Sequence, residues 1–237
     1  MDKLKIKACP LCSGTHLKHV MTCTDFYASG ELFELYSCED CNFTFTQDFP
    51  TGANMDRYYE SSDYISHSDT KKGIMNSLYH RVRKYMLGRK ARLVMKESHR
   101  KQGKLLDVST GTGYFPAVMA GNGWTVEAIE KNPQVRAFAK EKFDLDIKGE
   151  DALNALEKNT FDVITLWHVM EHLENLNEVW DRFYNLLVDK GILIVAVPNR
   201  ASYDAEIYGS NWAAYDVPRH LWHFTPATMQ QFASQHG

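Results

Sequence analysis

Four of the five cysteines form two C-x-x-C pairs in the first part of the chain. Cys9 and Cys12 make one pair, Cys38 and Cys41 the other, and 25 residues with strand-like alternation separate them. Four thiolates can close a tetrahedral shell around Zn²⁺, and each C-x-x-C turn directs two sulfur atoms toward one point. Because a segment this small buries little apolar surface, the metal would supply folding free energy. We expect a structural zinc site at these four cysteines, with redox-active thiols as the alternative, and we expect Cys23 to be a buried or spare thiol.

A loop containing two glycines follows the strand-like run at residues 104–108. Gly111 and Gly113 would let the backbone approach a ligand closely, and a helix starting near Pro116 would offer free N–H groups to an anion. An acid at the end of the next strand, Glu130, suits the two hydroxyls of a ribose. Pro116 occupies the place of the third glycine in the nicotinamide fingerprint G-x-G-x-x-G, which disfavours a pyrophosphate site. The pattern favours a nucleoside-binding loop over ordinary polar residues at strand ends.

Three regions follow one another along the chain. Residues 1–50 read as a small β module, residues 51–102 as a tyrosine-rich connector and a basic helix from Ile74, and residues 103–237 as alternating strands and helices. Alternating β and α elements imply parallel strands with crossover helices, so we expect an α/β fold with a doubly wound, Rossmann-like sheet. The strands are expected at 104–108, 125–130, 145–148, 161–167 and 191–197.

Three motifs resemble those of class I S-adenosylmethionine-dependent methyltransferases: the run from Asp107 to Gly113, DVSTGTG; that from Gly123 to Glu130, GWTVEAIE; and that from Phe161 to His172, FDVITLWHVMEH. More narrowly, the chain is similar to a bacterial subgroup in which a four-cysteine zinc ribbon precedes the methyltransferase domain. That likeness extends to the two tyrosines at 58–59 and to residues 218–224.

The resemblance implies a cofactor, S-adenosylmethionine, and a sheet with strand order 3-2-1-4-5. The family's sheet normally ends in a reversed strand pair, which we expect to be missing from this chain. The loop after the first strand would hold the methionine part, Glu130 the ribose, and Glu150 or Asp151 the adenine amino group. The family usually has glycine where Ser109 stands, a departure expected to reduce affinity for the cofactor. The expected cofactor-binding residues are Asp107, Ser109, Thr110, Gly111, Gly113, Glu130, Lys131, Glu150, Asp151 and His168.

Residues 168–172, HVMEH, match the inverted zinc-protease motif H-x-x-E-H. A protease would need His168 and His172 on one face of a helix, whereas a strand-like run leads directly into His168. The ends of the central strands line the crevice of a doubly wound sheet. We therefore expect His168 near the sulfonium of the cofactor, with Glu171 and His172 orienting the loop.

Residues 211–224 are dense in aromatic and titratable side chains and are expected where an acceptor would approach. A histidine of nearly neutral pKa can remove the proton of a hydroxyl acceptor, and an arginine can clamp an anionic substrate. The alternative is a packed loop whose histidines bond backbone carbonyls. Tyr58, Tyr59 and Tyr64 are expected either to cap the site or to pack the connector. The expected catalytic residues are His168, Arg219, His220 and His223.

The formal net charge of −3 conceals a basic segment. Residues 71–104 carry 12 lysines and arginines against the single acid Glu97. Such a helix is a candidate for binding nucleic acid or phosphate, while a solvated face, or pairing with acids elsewhere in the chain, is the alternative. No apolar run approaches the roughly 20 residues of a membrane span, and no apolar leader is visible, so we expect a cytoplasmic protein.

These patterns lead us to expect a zinc-ribbon-bearing methyltransferase that acts on a small molecule, such as a sugar or a phosphate-bearing metabolite. The first alternative is an RNA methyltransferase that uses the zinc ribbon and the basic helix. The second is a catalytically silent binding protein that keeps the fold as a scaffold.

Overall fold

The chain forms ten strands and eight α-helices within residues 3–59 and 74–236, the part described by this computed structural model. The strands are β1 (Lys3–Leu4), β2 (Leu17–Thr24), β3 (Leu32–Cys38), β4 (Thr44–Thr46), β5 (Phe49–Pro50), β6 (Lys104–Val108), β7 (Thr125–Ile129), β8 (Phe161–Trp167), β9 (Leu187–Ala196) and β10 (Trp222–His223). The helices are α1 (Ala53–Asp56), α2 (Ile74–Glu97), α3 (Tyr114–Gly121), α4 (Pro133–Phe143), α5 (Ala152–Ala155), α6 (Leu176–Leu186), α7 (Tyr203–Tyr208) and α8 (Pro226–Gln235).

A parallel sheet with the order β7-β6-β8-β9 confirms the expected α/β class and strand order. The expected strand at 145–148 is reduced to one parallel bridge between Ile129 and Lys148. Helix α4 is followed by Asp144, which adopts the left-handed conformation with φ of 54°. The predicted third strand, expected at the edge of the sheet beside β7, is therefore a single bridge rather than a full strand.

Helix α2 covers the predicted basic helix and packs by one face on the core of the parallel sheet. Ala91 and Val94 are buried in a core cluster with Leu105 of β6 and other residues of the sheet and α3, and Leu87 and Met95 pack against it. Val82 and Met86, on another face, are 53% and 47% exposed.

A second, antiparallel sheet has the order β10-β4-β3-β2. Its strand β10 comes from the region after the parallel sheet and pairs with β4, with Trp222 opposite Phe45. The Trp222 ring stacks on Phe43, with ring centres 6.2 Å apart, and meets the edge of Phe49 at 6.1 Å. Within the described residues, no strand after β9 joins the parallel sheet.

The chain forms two compact units. The described residues of the first unit are 3–59, 168–180 and 197–236, and those of the second are 74–167 and 181–196. The predicted domain boundaries (1–50, 51–102 and 103–237) stay a prediction, and most of the predicted connector, with Tyr64, lies outside the described residues. Among the described helices, none has the length and apolarity that crossing a bilayer requires.

The packing of α2 predicts that truncating two of its valines will have unequal effects on the free energy of unfolding. We expect Val94→Ala to lower the free energy of unfolding by about 2 kcal/mol, because it removes two methyl groups from a closed core. Val82→Ala, on the exposed side of the same helix, should change it by less than about 0.5 kcal/mol. Urea unfolding followed by circular dichroism measures both, and equal losses would contradict the observed helix face.

Candidate functional site

The carboxyl group of Asp107 is buried at the end of β6 and is bonded by two threonine hydroxyls. Thr165 Oγ1 donates to Oδ1 over 2.5 Å, and Thr110 Oγ1 donates to Oδ2. Burial raises the pKa of this carboxyl from 3.8 to about 6, although both hydrogen bonds oppose the rise. Because Thr165 stands opposite Asp107 in the β6–β8 pair, the sheet register fixes the carboxylate at the carboxyl ends of both strands.

Glu130 directly follows β7, and its buried carboxylate organises the glycine loop. Oε2 accepts the Gly111 N–H at 2.8 Å, and Oε1 accepts the Asn132 N–H at 3.0 Å. Each carboxylate oxygen offers two lone pairs, so both oxygens retain acceptor capacity. The arrangement can accept hydrogen bonds from the two hydroxyls of a ribose while it holds the loop.

The loop backbone has the conformation that the glycine pattern implied. Gly111 has φ of 58°, and a Cβ there would meet nothing within 4 Å, which leaves open space beside the loop. Gly113 has φ of 78°, and a Cβ there would lie 2.9 Å from the Cβ of Ala139 on α4. Ser109 has φ of 52°, in the left-handed region that favours glycine, which explains physically why glycine suits this position in the resembling family.

Three other predicted cofactor residues lie in two nearby loops, one after β7 and one after the bridge at Lys148. Lys131 follows Glu130, and the carbonyls of both residues accept from Arg136 Nη1, at 2.8 and 2.7 Å. Glu150 and Asp151 are exposed and come shortly after the bridge at residue 148. Their roles toward adenine and ribose stay predictions.

Lys90, one of the lysines of the basic segment, also reaches this region. It is half-buried, and its Nζ lies 4.4 Å from the centre of the Trp167 ring. Burial lowers the pKa of Lys90, while electrostatic attraction to Asp107 opposes that effect. A lysine within a run of basic residues carries no local signal that would single it out.

Other cations of the basic segment are engaged within their own unit. The Arg83 guanidinium lies 3.8 Å from the centre of the Tyr114 ring. Arg100 pairs with Asp162 at 3.2 Å, and Lys104 pairs with Glu127 at 2.9 Å. These contacts favour the alternative in which the basic residues pair with groups elsewhere in the chain.

The four predicted zinc ligands converge on one point. The Sγ atoms of Cys9 and Cys41 are 3.5 Å apart, as are those of Cys12 and Cys38, and all four lie within 4.8 Å of one another. Tetrahedral coordination with Zn–S bonds of about 2.3 Å places sulfur atoms about 3.8 Å apart, so the spacing fits a zinc ion. Cys23 is buried outside this cluster, and burial raises its pKa to about 11.

The surroundings of the cysteine cluster also suit a cation. Burial raises the pKa of Cys9 to about 11 and raises that of Cys41 as well, so without a cation these two sulfurs stay protonated at neutral pH. A Cβ on Gly14 would lie 3.1 Å from the Cys38 sulfur and 2.1 Å from an oxygen of Asp40, so a side chain there would have to displace the Asp40 carboxylate. The donor set and its enclosure fit structural Zn²⁺.

A second group of metal-ligating side chains consists of Glu171, His172 and His220, called the histidine cluster below. Strand β8 ends at Trp167, and residues 170–172 form a single 3-10 turn, so H-x-x-E-H does not lie on an α-helix as the protease interpretation requires. His172 Nδ1 lies 3.0 Å from the Arg219 carbonyl and 3.1 Å from the Tyr59 hydroxyl. Burial lowers the pKa of His172 to about 4, so its imidazole is neutral at neutral pH.

Two of the three predicted catalytic histidines, His220 and His168, lie near Glu171 in distinct surroundings. His220 Nδ1 lies 2.8 Å from the Ala214 carbonyl, and its ring centre is 4.6 Å from that of His172. His168 has φ of 61°, its side chain is 62% exposed, and its Nδ1 lies 3.4 Å from a Glu171 oxygen. Both histidines stay candidates for proton transfer, and the place of His168 near a sulfonium stays a prediction.

Arg219 and His223, also predicted to be catalytic, are held in the interior of the first unit. The Arg219 side chain is 4% exposed and donates to Asp216, to Asp25 Oδ1 at 3.0 Å and to the Tyr58 carbonyl at 2.8 Å. His223 is buried with its Nε2 3.0 Å from the Thr46 hydroxyl, and burial lowers its pKa well below its usual value. These contacts favour a packing role for both residues over clamping a substrate or removing a proton.

The raised pKa of Asp107 sets the direction of a pH dependence. Because the folded pKa of about 6 exceeds the unfolded value of 3.8, the protonated carboxyl favours the folded state. The contribution to stability is therefore complete below about pH 4 and is lost as the pH rises through about 6. We expect the unfolding free energy of wild type to fall relative to that of Asp107→Asn over this range, by about 2–3 kcal/mol.

Denaturant unfolding of both proteins from pH 4 to pH 7 measures this difference. Asp144→Asn is the matched control, because the ion pair with Lys140 lowers the pKa of that carboxyl and gives a contribution of the opposite sign. Parallel curves for wild type and Asp107→Asn would contradict the assignment.

The cysteine cluster predicts a metal with a thiolate signature. Chain reconstituted with Co²⁺ should show the intense charge-transfer absorption of cobalt bound to sulfur, and Cys12→Ser combined with Cys41→Ser should abolish it. Removing the metal should unfold the first unit, because metal binding is coupled to folding. Cys23→Ala is the control and should keep the absorption; its loss there would contradict the four-cysteine assignment.

The chain is similar to known methyltransferases in sequence. Residues 78–237 match the family model described as "Methyltransferase domain". Ubiquinone biosynthesis O-methyltransferase of Glaesserella parasuis is 26% identical over 149 residues, which cover 56% of this chain and 63% of that protein. The protein of the same name from Pelagibacter ubique is 30% identical over 122 residues, which cover 48% of this chain and 51% of that protein. The chain thus spans between half and two thirds of the length of these curated relatives.

Solved structures share its fold. A SAM-dependent methyltransferase from Archaeoglobus fulgidus matches with a TM-score of 0.54 and 22% identity, covering 65% of this chain and 68% of that one. A SAM-dependent methyltransferase from Methanosarcina mazei matches with a TM-score of 0.51 and 12% identity, covering 60% and 82%. At these identities the likeness concerns the fold, whereas the family model matches more than half of the chain. The chain belongs to the methyltransferase domain family.

Proposed function

We propose that the chain transfers a methyl group from S-adenosylmethionine to a small-molecule acceptor. The observation that carries the proposal is the pairing of two buried carboxylates, Asp107 and Glu130, at the carboxyl ends of adjacent parallel strands. Between them runs a loop whose glycine at 111 has positive φ and open space beside it. In a doubly wound sheet this edge is where ligands bind.

The residues around the loop have suitable chemistry for each part of the cofactor. Glu130 would accept hydrogen bonds from the ribose hydroxyls, and Glu150 or Asp151 would accept from the adenine amino group. Asp107 and the backbone of residues 109–113 would hold the methionine part. Lys90 would supply a positive charge, which Asp107 already attracts.

We propose a hydroxyl oxygen as the methyl acceptor, because the two curated relatives described above are named as O-methyltransferases. When bound, S-adenosylmethionine would supply an electrophilic methyl group, and a group of this chain would have to accept the proton of the hydroxyl acceptor. Among the predicted catalytic residues, His168 and His220 are the candidates to accept that proton. Holding the reactants in line in a dry site supplies most of the rate enhancement for such a displacement.

The small molecule is preferred over RNA because of the contacts of the basic segment. Arg83, Lys90, Arg100 and Lys104 are already placed against aromatic rings or carboxylates of the second unit. A cation that is placed against a ring or a carboxylate of its own unit is less available to neutralise a phosphate. The cysteine cluster, with four sulfur ligands and no open position, would hold Zn²⁺ for structural stability.

A single set of proteins tests the proposed cofactor site. Glu130→Gln should weaken binding of S-adenosylhomocysteine by about 1–3 kcal/mol, because it removes a charged acceptor of ribose hydroxyls. Glu127→Gln is the matched control on the same strand, since Glu127 pairs with Lys104 and Lys148 instead. Calorimetry measures both affinities, and equal affinity for the two variants would remove the role assigned to Glu130.

The acceptor class is tested with isotopically labelled S-adenosylmethionine. We expect label in the small-molecule fraction of a panel of hydroxylated metabolites, reduced in Glu130→Gln, and none in RNA. Label in RNA would favour the RNA alternative. Failure to bind the cofactor at all would favour a silent scaffold.

A further inference from the structure

The histidine cluster contains a buried carboxylate whose oxygens have no hydrogen-bond partner among the described residues. Glu171 is 0% exposed, and neither Oε1 nor Oε2 is hydrogen-bonded. Burying a carboxylate without a partner costs several kcal/mol, so natural proteins pair such groups or use them to bind a cation. Asp107 is different, because both of its oxygens accept hydrogen bonds from threonine hydroxyls.

Each histidine of the cluster has its Nδ1 against a backbone carbonyl: His172 against Arg219 at 3.0 Å and His220 against Ala214 at 2.8 Å. A carbonyl oxygen can only accept, so these contacts suit the tautomer with its proton on Nδ1, and the Tyr59 hydroxyl 3.1 Å from His172 Nδ1 can then act as a second acceptor. In a neutral imidazole, Nε2 then carries a lone pair. Histidines that ligate metals commonly donate their other N–H to a carbonyl in this way, which fixes the tautomer and the ring orientation.

Carboxylate oxygens lie close to His220 Nε2. It is 4.0 Å from Glu171 Oε1 and 3.8 Å from Asp216 Oδ2, and the charge of Asp216 is offset by Arg219. The exposed His168 has its Nδ1 3.4 Å from Glu171 Oε1. A lone pair on His220 Nε2 and the Glu171 carboxylate repel each other. A cation between Glu171 and the two histidines would remove this repulsion.

The chain also fixes the three residues relative to one another. The Leu221 N–H donates to the Glu171 carbonyl at 2.7 Å, and the Trp222 indole N–H donates to the Leu173 carbonyl at 2.6 Å. These bonds join residues 171–173 to residues 220–222, which are about fifty positions further along the chain. A ligand set brought together from two distant segments is thereby held in one place.

We propose that Glu171, His172 and His220 form a second metal site, which binds a divalent transition-metal ion of the Zn²⁺ class. One oxygen and two imidazole nitrogens suit such an ion, whereas Mg²⁺ and Ca²⁺ prefer oxygen ligands alone. The three donor atoms lie within 4.8 Å of one another. Ligand bonds of about 2.1 Å in a tetrahedral site require donors about 3.4 Å apart, so the three side chains would close around the ion when it binds.

Three protein ligands leave a coordination position open for a water or a hydroxyl group. His168, beside Glu171, is exposed and close enough to approach that position. The inference rests on the histidine cluster alone and does not require the proposed methyl transfer. A bound ion would occupy the same Nε2 of His220 that a role as proton acceptor would use, so the two roles can be separated by experiment.

Cobalt distinguishes this site from the cysteine cluster, because Co²⁺ bound to nitrogen and oxygen lacks the thiolate charge-transfer absorption. With the cysteine cluster filled by zinc, we expect wild type to bind one further Co²⁺ per chain, seen by absorption and by calorimetry. Glu171→Gln and His220→Gln should each weaken this second binding at least tenfold. His19→Gln, at an exposed histidine outside the cluster, is the matched control and should bind Co²⁺ as wild type does.

A measurement on wild type alone guards against variants that fold poorly. Added Co²⁺ should raise the melting temperature of the zinc-filled wild-type chain, as ligand binding to the folded state requires. Three results would overturn the proposal: no second equivalent in wild type, a second equivalent with thiolate absorption, or equal binding by wild type and both cluster variants. The first of these would leave a proton shared between His220 and Glu171 as the explanation of the cluster.

Discussion

The ion pairs and hydrogen bonds of the buried Arg219 guanidinium tie together distant segments of the first unit. Taking this charge out of water without partners would cost several kcal/mol, and the chain offsets that cost with two carboxylates and a carbonyl. The partners are Asp25, Asp216 and the backbone of Tyr58, and the Tyr27 ring lies 4.6 Å from the guanidinium carbon. Residues near the start of the chain and residues near 219 are thus joined by a contact that neither segment can satisfy alone.

The same junction places the side chains available for chemistry in this unit. Strand β10 pairs with β4, and the Thr46 hydroxyl donates to the His220 carbonyl at 2.7 Å. His223 packs beside Thr46 as a result, and His220 is directed toward Glu171. Arg219 and His223 thus lie in the interior of this unit, whereas His220, between them in sequence, belongs to the histidine cluster.

In the second unit, the main residues of the candidate cofactor site lie close to one another in the sequence. Asp107, the glycine loop and Glu130 occupy the ends of two consecutive strands, so the sheet brings them together whatever the rest of the chain does. Their positions could be predicted from the order of strands and glycines alone. The partner of Asp107 on β8, Thr165, and the approach of Lys90 could not, since both depend on the strand register and on which face α2 turns to the sheet.

Features with short-range signals could be recognised in the sequence. These are the two cysteine pairs, the alternation of strands and helices, and the glycine loop with its acid one strand away. Metal-ligand spacing, hydrophobic period and the need for positive φ act within a few residues, so they can be recognised without knowledge of the fold. They were sufficient to predict the fold class, whereas the family and the strand order came from the resemblance of three motifs to known methyltransferases.

The surroundings of Arg219, His220, His223 and Glu171 follow from packing between distant segments. A polar side chain forms an interior ion pair or packs in the core according to which distant atoms desolvate it, and those atoms lie up to 194 positions away in the chain. Helix α2 illustrates the same point, because Ala91 and Val94 are buried whereas Val82 is exposed. Burial is a property of the packed molecule, and a residue's type constrains it without fixing it.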